Sequence, residues 1–167
     1  MSDNTIFIEP LTAQAFAPFG QVIKTEGAQH FPINNGKTER FHDLAQVQLA
    51  GPNSRPIISI ACGQPYSLPL TLAMVERHPF GSQAFHPLSN RPFLVIVAPD
   101  ENGTPGRPRA FLTAPGQGIN YAINTWHGVL TPLGNEPADF LLVDRAGDGP
   151  NLEEYFYPTP WQVVAAS

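Results

Sequence analysis

The residues best suited to chemistry lie in Leu72 to Pro99, where Glu76-Arg77-His78 is followed by Gly81-Ser82-Gln83. The stretch reads as strand, tight turn, strand. On a strand, side chains alternate with period two, so Leu72, Met74, Glu76 and His78 are expected on one face. That face runs from apolar residues directly to a carboxylate and an imidazole, at positions expected to be interior. Polar groups at buried positions are costly unless paired or used. A carboxylate beside an imidazole can exchange a proton near neutral pH or contribute to a divalent metal site. A second polar cluster, Thr38 to Leu44, places Arg40 and His42 on one face of an extended segment and Phe41 and Asp43 on the other.

These groups need a scaffold, and composition indicates which kind. The chain has 167 residues with 19 Pro, 14 Gly and only 14% charged residues. Proline at that density interrupts helices and suits many short strands joined by turns. One domain spanning 1–167 and an all-β fold are expected. Strands are expected at Ile6 to Ile8, Gln21 to Lys24, Ile57 to Cys62, Phe93 to Ala98, Arg109 to Thr113 and Asp139 to Asp144. Phe93 to Ala98 is continuously apolar and should be buried on both faces. A short helix is expected over Ala13 to Ala17 with Thr12 as its N-cap, closed by Pro18 and Gly20. Gly27 to Thr38 reads as loop, Asp100 to Pro108 as an exposed hairpin loop, and Pro158 to Pro160 as a stiff tail that tucks Trp161 against the body or a partner. His30 and His86 read as structural, with His86 out of phase with Gln83, and Cys62 as a small buried hydrophobe. Strands at this spacing point to a sandwich or small barrel.

Formal charge is −5 with no basic run, which argues against a nucleic-acid partner and leaves room for a small anionic ligand. The single Cys62 excludes an intrachain disulfide and suits a reducing cytoplasm. No apolar run approaches the ~20 residues of a membrane span, and Met1 to Ala17 has no signal-peptide pattern.

Two segments resemble the paired motifs of the cupin superfamily, in which two hairpins direct side chains into a small β-barrel. Glu76, His78 and Gln83 fill the spacing of the first motif, and Gly116 to His127 that of the second. The resemblance implies a cupin-like barrel (an antiparallel jelly-roll sandwich with a short N-terminal helix). It also implies a site that, if it binds metal, uses Glu76, His78, Gln83 and His127. Gln83 stands where a carboxylate is usual and would be a weaker ligand. The match is closer still to bacterial ureidoglycolate lyase, carried by RFHDL at Arg40 to Leu44, ERHPFGSQAF at Glu76 to Phe85, GINY at Gly118 to Tyr121, and Trp126-His127. The chain departs from that family at Asn124, usually Gly, and at Gly128, often a second His.

The resemblance implies cleavage of (S)-ureidoglycolate to glyoxylate and urea in allantoin degradation, by a cytoplasmic homodimer stimulated by nickel. Elimination from this carbinolamide needs a base at the hydroxyl and an acid at the departing urea nitrogen. In this reading Arg40, assisted by His42, clamps the substrate carboxylate, and Glu76 and His78 share the hydroxyl proton. His127 protonates the urea nitrogen, while Ser82 and Gln83 hold the ureido group. Two alternatives remain open: an amidohydrolase that releases ammonia, and a non-catalytic cupin that binds a small carboxylic acid.

Overall fold

The computed structural model describes residues 3–166. Six strands close into a barrel. In order around the wall they are Phe93–Ala98, Arg109–Leu112, Thr5–Pro10, Glu153–Val164, Leu70–Arg77 and Trp126–His127, which returns to Phe93–Ala98. Thr131–Pro132 extends this sheet at Phe93–Ala98. A five-stranded sheet packs against the barrel, in the order Gly20–Ile23, Gly118–Tyr121, Gln83–Pro87, Ala138–Ala146, Arg55–Gly63. The expected all-β, cupin-like barrel is therefore present. It is not wholly antiparallel, since Thr5–Pro10 pairs parallel with both of its neighbours.

Phe93–Ala98 explains why the two layers hold together. All six of its residues are buried. Leu94, Ile96 and Ala98 join Ile6, Ile8, Leu72, Val75 and Trp126 inside the barrel, whereas Phe93, Val95 and Val97 join Phe85, Phe111, Ile119, Tyr121 and Phe140 between barrel and sheet. One strand thus serves two cores, which is why its sequence does not alternate.

The helix is the four residues Ala13–Phe16, and the Thr12 hydroxyl accepts from the Ala15 N–H at 3.1 Å, as capping requires. Phe16 is its buried anchor.

Several sequence readings are corrected. Gly27 to Thr38 contains a strand, and His30–Ile33 pairs with Thr38–Phe41 in a separate two-stranded hairpin. Its turn runs through Asn34, Asn35 and Gly36, all at positive φ. The supposed tail is part of the 12-residue strand Glu153–Val164. Its register shifts between Phe156 and Trp161, where Pro158 and Pro160 lack the N–H a ladder needs. Cys62 is exposed rather than buried, because it lies on the outer face of the sheet. Among the described residues no helix is long and apolar enough to cross a membrane.

Phe140 is 1% exposed and packs its ring 5.0 Å from Phe93 across the two layers. Phe140→Ala is expected to cost about 3–5 kcal/mol in urea unfolding. A loss below about 1 kcal/mol would mean that this contact does not join the layers.

Candidate active site

The site sits at one end of the space between barrel and sheet. Trp126 and His127 are consecutive, so they point to opposite sides of the barrel wall. Trp126 enters the barrel, and His127 faces the sheet and stacks on Tyr121 at 4.2 Å and 7°. Val75 and Glu76 divide in the same way, with Val75 in the barrel core. Glu76 lies between His127 and Glu154 in strand register. The expected common face for Leu72 and Glu76 is thereby corrected. Leu72 and Val75 both enter the barrel, because the strand is irregular opposite the Phe156/Trp161 register shift. His78 follows directly after the strand, where Pro79 ends the pairing.

Glu76, His78 and His127 form one cluster. One ligand atom from each lies within 4.8 Å of the others, His78 Nε2 is 3.9 Å from Glu76 Oε1, and the imidazole centroids are 5.2 Å apart. The backbone fixes both tautomers. His78 Nδ1 lies 2.8 Å from the Asn151 carbonyl, and His127 Nδ1 lies 2.8 Å from the Gly128 carbonyl. A carbonyl only accepts, so each Nδ1 carries a proton, and in the neutral form of either ring the lone pair is on Nε2. Both Nε2 atoms are buried without a hydrogen-bond partner in the protein.

Electrostatics follow from burial. Desolvation lowers the His127 pKa to about 3, with the nearby His78 adding to the effect and the Gly128 hydrogen bond opposing it. His127 is therefore neutral at physiological pH. Burial raises the Glu76 pKa above the usual carboxylate range, opposed by His78 and reinforced by Glu154. Burial and the Glu76 charge push the Tyr121 phenol up, so it stays protonated. Two imidazole Nε2 atoms and a carboxylate converging on one point fit a divalent transition metal, and the Nδ1–H···O=C contacts are the usual outer support of such ligands.

The other residues anticipated from sequence are placed elsewhere or otherwise engaged. The Gln83 amide nitrogen lies 3.4 Å from Asp144 Oδ2. The buried Ser82 hydroxyl accepts from Gln48 N at 2.7 Å and donates to Gln48 O at 3.4 Å, which ties down the segment before Gly51. Arg40 is exposed on the separate hairpin. His42 packs its ring on Phe31 and lines a 270 Å³ hollow with Lys24 and Asp43. His86, half-buried beside Gly118, alternates with Phe85 and so lies on the opposite face of its strand from the core between the layers. Asn124 holds φ at 61°, the left-handed value a Gly would supply. Tyr121 reads from sequence as a packing residue; its place against His127 depends on register between distant strands.

A closed barrel packed on a sheet, with two histidines and a glutamate converging between them, defines a cupin-like protein with a metal-compatible acid/base site. The sequence profile of the ureidoglycolate lyase family matches residues 3–164. The chain is 68% identical over 158 residues to a ureidoglycolate lyase from Chelativorans sp. (strain BNC1), covering 95% of each. It is 63% identical to one from Mesorhizobium japonicum, covering 95% of this chain and 96% of the other. It is 58% identical to ureidoglycolate lyase 2 of Rhizobium meliloti, covering 95% and 97%. Among solved structures, a dTDP sugar isomerase from Desulfovibrio desulfuricans G20 shares the fold, with a TM-score of 0.50, 16% identity and coverage of 85% and 87%. The protein belongs to the ureidoglycolate lyase family.

A buried neutral histidine makes stability pH-dependent. As pH falls from 6.5 toward 3, the unfolded chain takes up a proton at His127 that the folded chain refuses. Its contribution is full above pH 6.5 and declines below, by at most about 1.4 kcal/mol per pH unit. Urea unfolding in chelator should show a shallower pH slope across this window for His127→Asn than for wild type. Equal slopes would contradict the burial of a neutral imidazole.

Proposed function

We propose that the protein is a lyase that cleaves (S)-ureidoglycolate to glyoxylate and urea. The observation that carries the mechanism is the convergence of Glu76 with the Nε2 atoms of His78 and His127. The family supplies the substrate, through relatives named ureidoglycolate lyase at 58–68% identity over nearly the whole chain.

Glu76 is the proton carrier. Its raised pKa suits a carboxylate that takes the substrate's hydroxyl proton as the carbonyl forms and returns it to the departing urea nitrogen. One carboxylate then serves both steps and the proton count closes. His127 is assigned no acid role, which departs from the sequence reading. It is neutral and its only N–H is engaged with the Gly128 carbonyl. His78 and His127 instead orient the reacting oxygen and keep water from the buried corner. Tyr121, fixed by its stack on His127, offers a phenolic hydrogen to the substrate. Arg40 is the counter-charge for the substrate carboxylate.

A divalent metal, with nickel the one expected, would be held by Glu76, His78 and His127 and would supply Lewis acidity toward the hydroxyl oxygen. The Gln83 amide nitrogen is turned to Asp144, and Gln83 is left out of this set. A cytoplasmic location is in keeping with the single cysteine.

Purified protein with (S)-ureidoglycolate should release urea and glyoxylate in equal amounts, and metal removal should lower the rate. Ammonia in place of urea would establish the amidohydrolase, and binding without turnover the non-catalytic cupin. Glu76→Gln and His78→Ala should each lower kcat by about 10²- to 10⁴-fold; wild-type rates in both would remove this mechanism. Tyr121→Phe keeps the stack and loses only the hydroxyl, so kcat/KM should fall by about 10- to 100-fold. An unchanged value would return Tyr121 to packing alone.

A further inference from the structure

Two surfaces of this chain are left without a partner. The first is the hairpin of His30–Ile33 and Thr38–Phe41, which among the described residues forms a two-stranded sheet of its own. An isolated two-stranded hairpin is marginal in water. This one is held by its ladder, the 2.6 Å His30–Glu39 contact, and two ring contacts of 5.4 Å, His30 on Phe41 and Phe31 on His42. It nevertheless presents Ile33 and Phe41 to solvent, and the segment that follows presents Val47 and Leu49. The second surface is the outer face of the five-stranded sheet. There Ile58 is 75% and Ile60 59% exposed, with Val143 and Leu141 beside them in register.

The site has an unmet need of its own. If it cleaves ureidoglycolate, as proposed above, a cation must hold the substrate carboxylate. The arginines that border the corner are committed. Arg77 binds Glu153 at 2.6 Å and Asp100 at 2.9 Å and lies over Trp126. Arg145 is tied to Ser54 Oγ and to the Pro52 and Asp148 carbonyls. Glu76, Glu154 and Asp144 make no ion pair with Lys or Arg among the described residues, so the corner is acidic and short of a cation. Arg40 is the reverse: its backbone is in the hairpin ladder, and its side chain has no hydrogen bond, ion pair or ring contact among the described residues.

We propose that a second copy of this chain packs on the outer face of the five-stranded sheet, and that its projecting hairpin delivers Arg40 to this chain's active site. A two-fold axis matches one unpartnered surface to the other, so each copy gives a hairpin and receives one. The charges match, a free guanidinium against an acidic corner. The apolar face also leads the right way. Strand Arg55–Gly63 begins opposite Ala146, two residues past Asp144, which contacts Gln83, the register partner of Tyr121. Hairpin strands of four residues reach about 13 Å along that face.

Mixed dimers test the proposal. Chains carrying Arg40→Ala and chains carrying His127→Ala, with different tags, are co-expressed and purified through both tags; Glu76→Gln replaces His127→Ala if that variant misfolds. Delivery between subunits predicts that Arg40→Ala raises KM roughly 100-fold and that mixed dimers regain one working site of two. Mixed dimers as inactive as their parents, beside an active wild type, would overturn it, as would an Arg40→Ala protein with wild-type KM. A wild type that releases no urea would defeat the proposed activity instead, and light scattering then decides. A dimer that Phe41→Asp and Ile58→Asp each convert to monomer supports the pairing. A monomeric wild type, or a dimer indifferent to both changes, overturns it.

Discussion

Two backbone carbonyls orient the imidazoles of the candidate site. Asn151 O and Gly128 O each hold the Nδ1–H of a histidine at 2.8 Å, which leaves the Nε2 lone pairs of His78 and His127 beside the Glu76 carboxylate. Lone pairs buried in this way are costly unless something occupies them. The fold tolerates that cost at His42 and His86 as well, but among the described residues only in this corner do two such nitrogens converge with a carboxylate.

The rest of the architecture serves this placement. A barrel wall whose consecutive residues belong to different cores can anchor a side chain inside and present its neighbour outside. Trp126 and Val75 are the anchors, while His127 and Glu76 are the presented groups. Arg77 fastens the barrel end by binding Asp100 and Glu153, and Asp100 also accepts from the Trp126 indole at 2.9 Å. The five-stranded sheet contributes Tyr121, whose ring keeps the His127 imidazole in plane. Burial that pulls the histidine pKa down and pushes the glutamate up therefore results from two layers meeting.

Much of this was legible in the sequence, for local reasons. Proline and glycine density announced short strands, the all-apolar run Phe93 to Ala98 announced burial on both faces, and the Glu76-x-His78 spacing marked two members of the Glu76–His78–His127 cluster. What stayed hidden was non-local. The register irregularity that sends both Leu72 and Val75 into the barrel arises from Pro158 and Pro160 on another strand. The tautomer of His78 depends on Asn151, 73 residues away. Ser82 and Gln83 looked free for a ligand, yet the folded chain engages them with Gln48 and Asp144. Arg40, read as a clamp, lies exposed on a separate two-stranded hairpin.

The central claim is the protonation pattern of two imidazoles, and ¹⁵N NMR of the ring nitrogens reads it directly. In metal-free protein, His127 should be neutral with its proton on Nδ1 from about pH 7 down to about pH 5, and the neutral form of His78 should be the Nδ1–H tautomer. A neutral ring of either residue protonated on Nε2 in place of Nδ1, or a charged His127 ring at about pH 6, would contradict the account.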